Sequence, residues 1–155
     1  MAIAVRRATA DDVAAMSAVL AASIRELCTE DHRNDADLIA RWTANKTIEG
    51  VGAMLAEPAS LMFVAEIDGA VVAVGSIIEG SVIGLNYVSP HYRFRGVSKA
   101  LLAAMEDDMR RRGVAEASLS STATAHRFYL DAGWSDAAAP EAGRFIVDRP
   151  MKKRL

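Results

Sequence analysis

Cysteine is nearly missing from this 155-residue chain, which holds only Cys28. No intramolecular disulfide can form, and a reducing cytoplasm is the natural compartment for a fold that does without one. Proline is scarce, at four residues, and no proline-rich linker or low-complexity tract divides the chain. Long apolar runs are missing too. Nothing approaches the roughly 18 consecutive apolar residues of a transmembrane helix, and residues 1–9 alternate apolar and charged side chains where a signal peptide needs an unbroken apolar stretch. There are no internal repeats. The expectation is one domain over residues 1–155, soluble and cytoplasmic, with no membrane partner and no metal.

What is present is a large apolar fraction, 52% of the residues, of which 30 are alanine. That suffices for a buried core and argues against disorder. The formal charge of -2 rules out an obvious nucleic-acid binder, but it hides a split. Residues 1–90 hold 12 acidic and 6 basic side chains, net -6, whereas residues 91–155 hold 8 acidic and 12 basic, net +4. Such a division suits a chain that reads two different ligands.

Ile3, Val5 and Arg7 alternate as a strand does, and Thr9 with Asp11 and Asp12 predicts a helix start. Val13, Met16 and Leu20 then repeat at helical spacing to about Ala22, with residues 23–27 able to extend the helix. Residues 28–37 are polar and predict a loop. Leu38, Ile39 and Trp42 restart a short helix, and Thr47 caps another that Pro58 stops. The pattern then turns extended. Residues 61–67 and 70–78 are β-branched runs joined by Asp68-Gly69, a strong hairpin signal, and Glu79-Gly80 leads into a third strand over 81–88. A helix over about 96–112, a strand over 115–119, a helix over 122–132 and a final strand over 145–151 complete a mixed α/β order.

The most informative stretch joins the strand ending at Val88 to the helix starting at Gly96. Backbone N–H groups of residues 94–98 have no partners within the helix and carry its positive dipole end, while Gly96 allows a pyrophosphate to approach closely. Arg93, Arg95 and Lys99 surround that point. Here the sequence resembles the GCN5-related N-acetyltransferase superfamily, whose acetyl-CoA signature is Gln/Arg-x-x-Gly-x-Gly/Ala. Arg93-x-x-Gly96-x-Ser98 fits its first two positions, with Ser98 replacing the usual Gly or Ala and Phe94 standing where Gly is common. The segment from Ala125 through Phe128 and Tyr129 to Gly133 and Trp134 is similar to the family's later Ala-x-x-Phe-Tyr-x-x-x-Gly-Phe pattern.

The resemblance implies a seven-stranded, mostly antiparallel mixed sheet, flanked by about four helices and splayed between strands 4 and 5. It implies acetyl-CoA as co-substrate, direct transfer to a primary amine of a small molecule or peptide, and frequently a homodimer. Residues 94–98, Val97 among them, would act through backbone on the pyrophosphate, and the Val88 main chain would pair with the pantetheine arm. Thr122 and Phe128 would lie beside the cofactor, and the Tyr129 hydroxyl would serve the departing thiolate. An amine needs a base. The strand over 81–88 contains no acid, so Glu79 in the preceding turn is the nearest candidate, with Glu26, Glu30, Asp31 and His32 as others. Asn86 and Tyr87 point to opposite faces of their strand, so one of them faces the acceptor. The competing reading is a non-catalytic acyl-CoA sensor or structural module of the same fold.

Overall fold

In the computed structural model, which describes residues 2–155, one mixed sheet collects strands from both ends of the chain. The elements are β1 (Ile3–Arg7), α1 (Val13–Leu27), α2 (Thr29–His32), α3 (Ala36–Thr43), α4 (Ile48–Ala56), β2 (Ser60–Ile67), β3 (Ala70–Ile78) and β4 (Val82–Val88), followed by α5 (Val97–Arg111), β5 (Glu116–Ser121), α6 (Ala123–Asp131), β6 (Ser135–Asp136), β7 (Glu141–Ala142) and β8 (Val147–Arg154). Strand order is β1-β2-β3-β4-β5-β8-β6, with β7 as an eighth strand paired to β8. Only β4 and β5 are parallel.

The hairpins follow from local chemistry. Asp68 and Gly69 both take positive φ, 51° and 80°, the left-handed pair whose twist matches the strands it joins. Alternation along β2 then serves two layers. Met62 and Val64 pack with Met16, Val19 and Leu20 of α1 on one face. Phe63, Ala65 and Ile67 pack with Val97, Leu101 and Met105 of α5 on the other. Full burial of a Val, Leu, Ile, Phe or Met side chain of this kind contributes about 1.5–3 kcal/mol. Gly75 permits the close seat of α5, because a Cβ there would meet Met105 Sδ at 2.8 Å.

The feature that makes the site is a failure of pairing. β4 is bonded to β3 as far as Val88, but to β5 only through Val82↔Ser118 and Ile83↔Leu119. Beyond Ile83 the two strands part, and the sheet opens as the resemblance implied.

Three expectations are corrected. Six α-helices form, and the one the sequence pattern does not predict is α2, which occupies part of the expected 28–37 loop and is stopped where Arg33 and Asn34 turn to φ 49° and 60°. β6 and β7 bring the strands to eight. The last strand begins at Val147 rather than 145, since Phe145 and Ile146 leave it to pack on Ile24, Cys28 and Trp42. Among the described residues no helix is long and apolar enough to cross a membrane.

Candidate active site

After β4, Pro90–Tyr92 makes one 3-10 turn, Arg93 is extended, and Phe94 and Gly96 take φ 63° and 79° before α5 begins at Val97. No side chain caps that helix, so its first N–H groups face outward with the dipole behind them. A Cβ on Gly96 would touch no protein atom within 4 Å. The space in front of the turn is thus open to a ligand, and its positive φ is a second reason for glycine. Lys99 is exposed there. Arg93 lays its guanidinium 4.5 Å from the centroid of the Phe94 ring, and Arg95 lies 5.3 Å from that of Tyr92.

From this turn a cleft of about 550 Å³ follows the gap between β4 and β5 as far as Leu27 at the end of α1 and Cys28 just after it. Its walls include Val88, Arg93, Phe94, Gly96, Val97 and Ser98 at one end, and Thr122, Phe128 and Tyr129 deeper in. Lys99 also lines it, whereas Arg95 and Glu79 do not. Ser89 N–H donates to Val72 O at 2.8 Å, so strand alternation turns the main-chain groups of Val88 and Asn86 to the other edge, into the gap. An extended ligand lying there meets a strand edge that wants a partner.

Tyr129 is a buried residue of the cleft wall. Burial pushes its pKa up to about 12, opposed by a hydrogen bond from Asn86. Asn86 Nδ2 donates to Tyr129 Oη at 3.2 Å, which leaves the phenolic proton free for another acceptor. Asn86 Oδ1 is buried with no hydrogen-bond partner, an orphan that a ligand N–H would satisfy. Open backbone donors, a vacant glycine approach and an unpaired amide oxygen together fit a phosphate-bearing thioester with amide groups in its arm.

The helix that carries Tyr129 is held at both ends. At its start Thr122 Oγ1 accepts from Ala125 N–H, and the Asp31 carboxylate accepts from Ala123 N–H at 2.7 Å, Thr124 N–H at 3.1 Å and Thr124 Oγ1 at 2.6 Å. At its end Lys153 Nζ donates to Ala132 O and to the buried Glu106, which also accepts from Trp134 Nε1.

The base candidates fare differently. Glu79 lies in the β3–β4 turn, its N–H bonded to Ala59 O, and the strand from Val82 to Asn86 carries Asn86 about 13 Å away from that turn. The structure therefore does not bring it to the cleft. Asp31 is committed to α6. His32 is buried, with Nε2 on Ile24 O at 2.8 Å and Nδ1 accepting from Asn34 N–H at 3.0 Å, so it holds up the α1–α2 turn. Glu26 and Glu30 are exposed and off the cleft walls. The Cys28 thiol is pushed up to about 12 by burial first and Asp31 second, which removes it as a nucleophile. Tyr87 packs with Ile24, Cys28 and Trp42 and also lines the cleft, while Asn86 is the strand residue that hydrogen-bonds Tyr129. Sequence reasoning missed the Asn86–Tyr129 pair and the Asp31 clamp; their partners lie 43 and 92 residues away, beyond any local pattern.

Comparison with known proteins agrees with this fold. Over its whole length the chain superposes on a GCN5-related N-acetyltransferase from Rhodopseudomonas palustris, TM-score 0.89 at 24% identity and 97% of that chain. It also superposes on the PaiA N-acetyltransferase of Thermoplasma acidophilum in complex with coenzyme A, TM-score 0.82 at 18% identity and 100% of both chains. A ribosomal-protein-alanine N-acetyltransferase from Brucella melitensis gives 0.66 at 21% identity, with 98% of this chain and 99% of that one covered. At these identities the likeness is one of fold. No protein with a curated description matches in sequence. The model of the acetyltransferase (GNAT) domain, however, matches residues 28–155, and the chain belongs to that family.

Proposed function

We propose that the protein transfers the acetyl group of acetyl-CoA to a primary amine by direct attack in a ternary complex. The observation that carries this is continuity: one cleft connects the uncapped start of α5 with the Tyr129 hydroxyl along an unpaired strand edge. The N–H groups at the start of α5, with Arg93 and Lys99, hold the pyrophosphate. Val88 and Asn86 main-chain groups pair with the pantetheine arm, and a main-chain N–H near Val88 polarises the acetyl oxygen.

Acetyl-CoA supplies the activated carbonyl. The amine forms the new C–N bond, the C–S bond breaks, and the products are an N-acetyl amine, CoA and the proton the ammonium has shed. Tyr129 assists the leaving sulfur. With its pKa near 12 it is a much weaker acid than a thiol of pKa about 8.5, so it works as a hydrogen-bond donor to the developing thiolate and holds its own proton at rest.

Thermal unfolding with and without acetyl-CoA, followed by CoA release across an amine panel, tests the reading. A midpoint that acetyl-CoA does not move overturns it. One observation favours the second reading, a binding module without turnover: among the described residues the cleft walls carry no carboxylate and no histidine. Tyr129→Phe separates the two, because only a transferase has turnover to lose while its cofactor affinity holds.

A further inference from the structure

Phe94 is unfavourable in two ways at once. Its backbone sits at φ 63°, a left-handed conformation that bulky side chains rarely adopt. Its ring is 91% exposed. A glycine or asparagine would escape both penalties, and if only the backbone of this residue served the ligand, either would serve better. Backbone strain of this kind clusters at ligand clamps and active sites. The ring is also oriented: the Arg93 guanidinium covers one face at 4.5 Å, the other is open to solvent, and the residue lies on the cleft wall. It precedes Gly96 by two residues, at most about 7 Å of chain.

We propose that Phe94 is a stacking platform for the adenine of the donor, its ring sandwiched between Arg93 and the base. This deepens the acetyl-CoA reading and rests on it. If the pyrophosphate lies on the turn at Gly96, the base hangs one ribose beyond it, within reach of Phe94. A flat, π-rich purine suits an open ring face, and the guanidinium behind strengthens the stack. The consequence is donor selection. The site favours a thioester that carries a nucleotide over the same acyl group on a bare phosphopantetheine arm, such as a carrier protein presents.

The test is calorimetric titration of CoA and of 4′-phosphopantetheine into the wild-type protein, F94N and F94W, with thermal unfolding of each ligand-free protein. Asparagine tolerates the left-handed backbone, so F94N should unfold at the wild-type temperature or above it. Its Kd for CoA should rise about tenfold or more, the effect of losing one base–aromatic stack. Its Kd for 4′-phosphopantetheine should stay within about twofold, and F94W should restore CoA affinity. Unchanged CoA binding in F94N overturns the inference, and so does an equal loss for both ligands, which would mean that the turn itself had collapsed. Wild-type protein that binds neither ligand overturns the acetyl-CoA reading as well.

Discussion

Asp31→Ala is the substitution for which the structure makes the sharpest demand. The carboxylate sits at the N-terminus of α6 and accepts three hydrogen bonds, two from backbone N–H groups and one from the Thr124 hydroxyl. Losing a capping acceptor costs about 0.5–2 kcal/mol, losing the negative charge at a helix start about 0.3–1 kcal/mol, and losing the hydroxyl bond about 1 kcal/mol. Thr122 still caps Ala125, so the helix survives and these terms bound the loss at roughly 2–4 kcal/mol. In a chain of this size that lowers the midpoint by about 5–15 °C, since each kcal/mol is about 2–4 °C. Differential scanning calorimetry with a Thr124→Ala partner variant reads both the loss and the coupling, and the double mutant should fall short of the sum by about 1 kcal/mol. CoA affinity should change less than turnover, because the phosphate turn belongs to α5 and only α6 loses its anchor. A midpoint within about 1 °C of wild type, with turnover abolished, would refute the clamp and return Asp31 to the role of base.

Tyr129→Phe should lower kcat by about 10–100-fold with acetyl-CoA affinity unchanged, as measured by CoA release and calorimetry. Because burial raises the folded pKa of Tyr129 to about 12, above its unfolded value, its contribution to stability is complete below pH 10 and is lost as pH rises through 12; no loss of turnover from this group should appear below about pH 10. Asp12 behaves oppositely: hydrogen bonds from Arg6, with help from Thr9, hold its carboxyl down at about 2 against burial, so its stabilisation is present above pH 4 and fades as pH falls toward 2. Partial exposure of Arg6 limits that effect to about 1 kcal/mol, and Arg6→Ala should remove it from the acid-unfolding curve. The buried Cys28 thiol should react with iodoacetamide at pH 8 at least about 100-fold more slowly than free cysteine.

What was legible in the sequence was local or periodic. Asp68-Gly69 forces its hairpin through two adjacent backbones, and the run from Val88 to Gly96 announces a strand-to-helix anion turn because every part lies within nine residues. Alternation and helical spacing likewise place β2, α1 and α5. The four-residue α2 escaped because one turn has no period to detect. Glu79 misled by proximity along the chain: it precedes the strand that carries Asn86, yet Asn86 lies about 13 Å along that strand from the turn, and Glu79 is not on the cleft wall. Asp31 and His32 were legible as titratable groups near the acceptor region but not as structural ones, because their hydrogen bonds to α6 and Ile24 exist only once the chain has folded.

That reassignment changes what the acidic half of the chain is for. A net -6 over residues 1–90 suggested carboxylates waiting for a cationic acceptor, but the structure spends Asp31 on α6 and Asp12 on Arg6, and leaves Glu26 and Glu30 in solvent. The deep end of the cleft, at Leu27, Cys28, Asn86 and Tyr129, therefore offers hydrogen bonds and apolar surface but no counter-ion. Burying an unpaired ammonium there would be costly. On the acetyl-transfer reading proposed above, the amine would shed its proton at the mouth and enter neutral, where Asn86 Oδ1, the one buried acceptor lacking a partner among the described side chains, would take a remaining N–H. On that reading, positive charge at the α5 turn and neutrality at Tyr129 would divide the labour: the first would hold the donor's phosphates, and the second would admit a nucleophile only in the form that can attack.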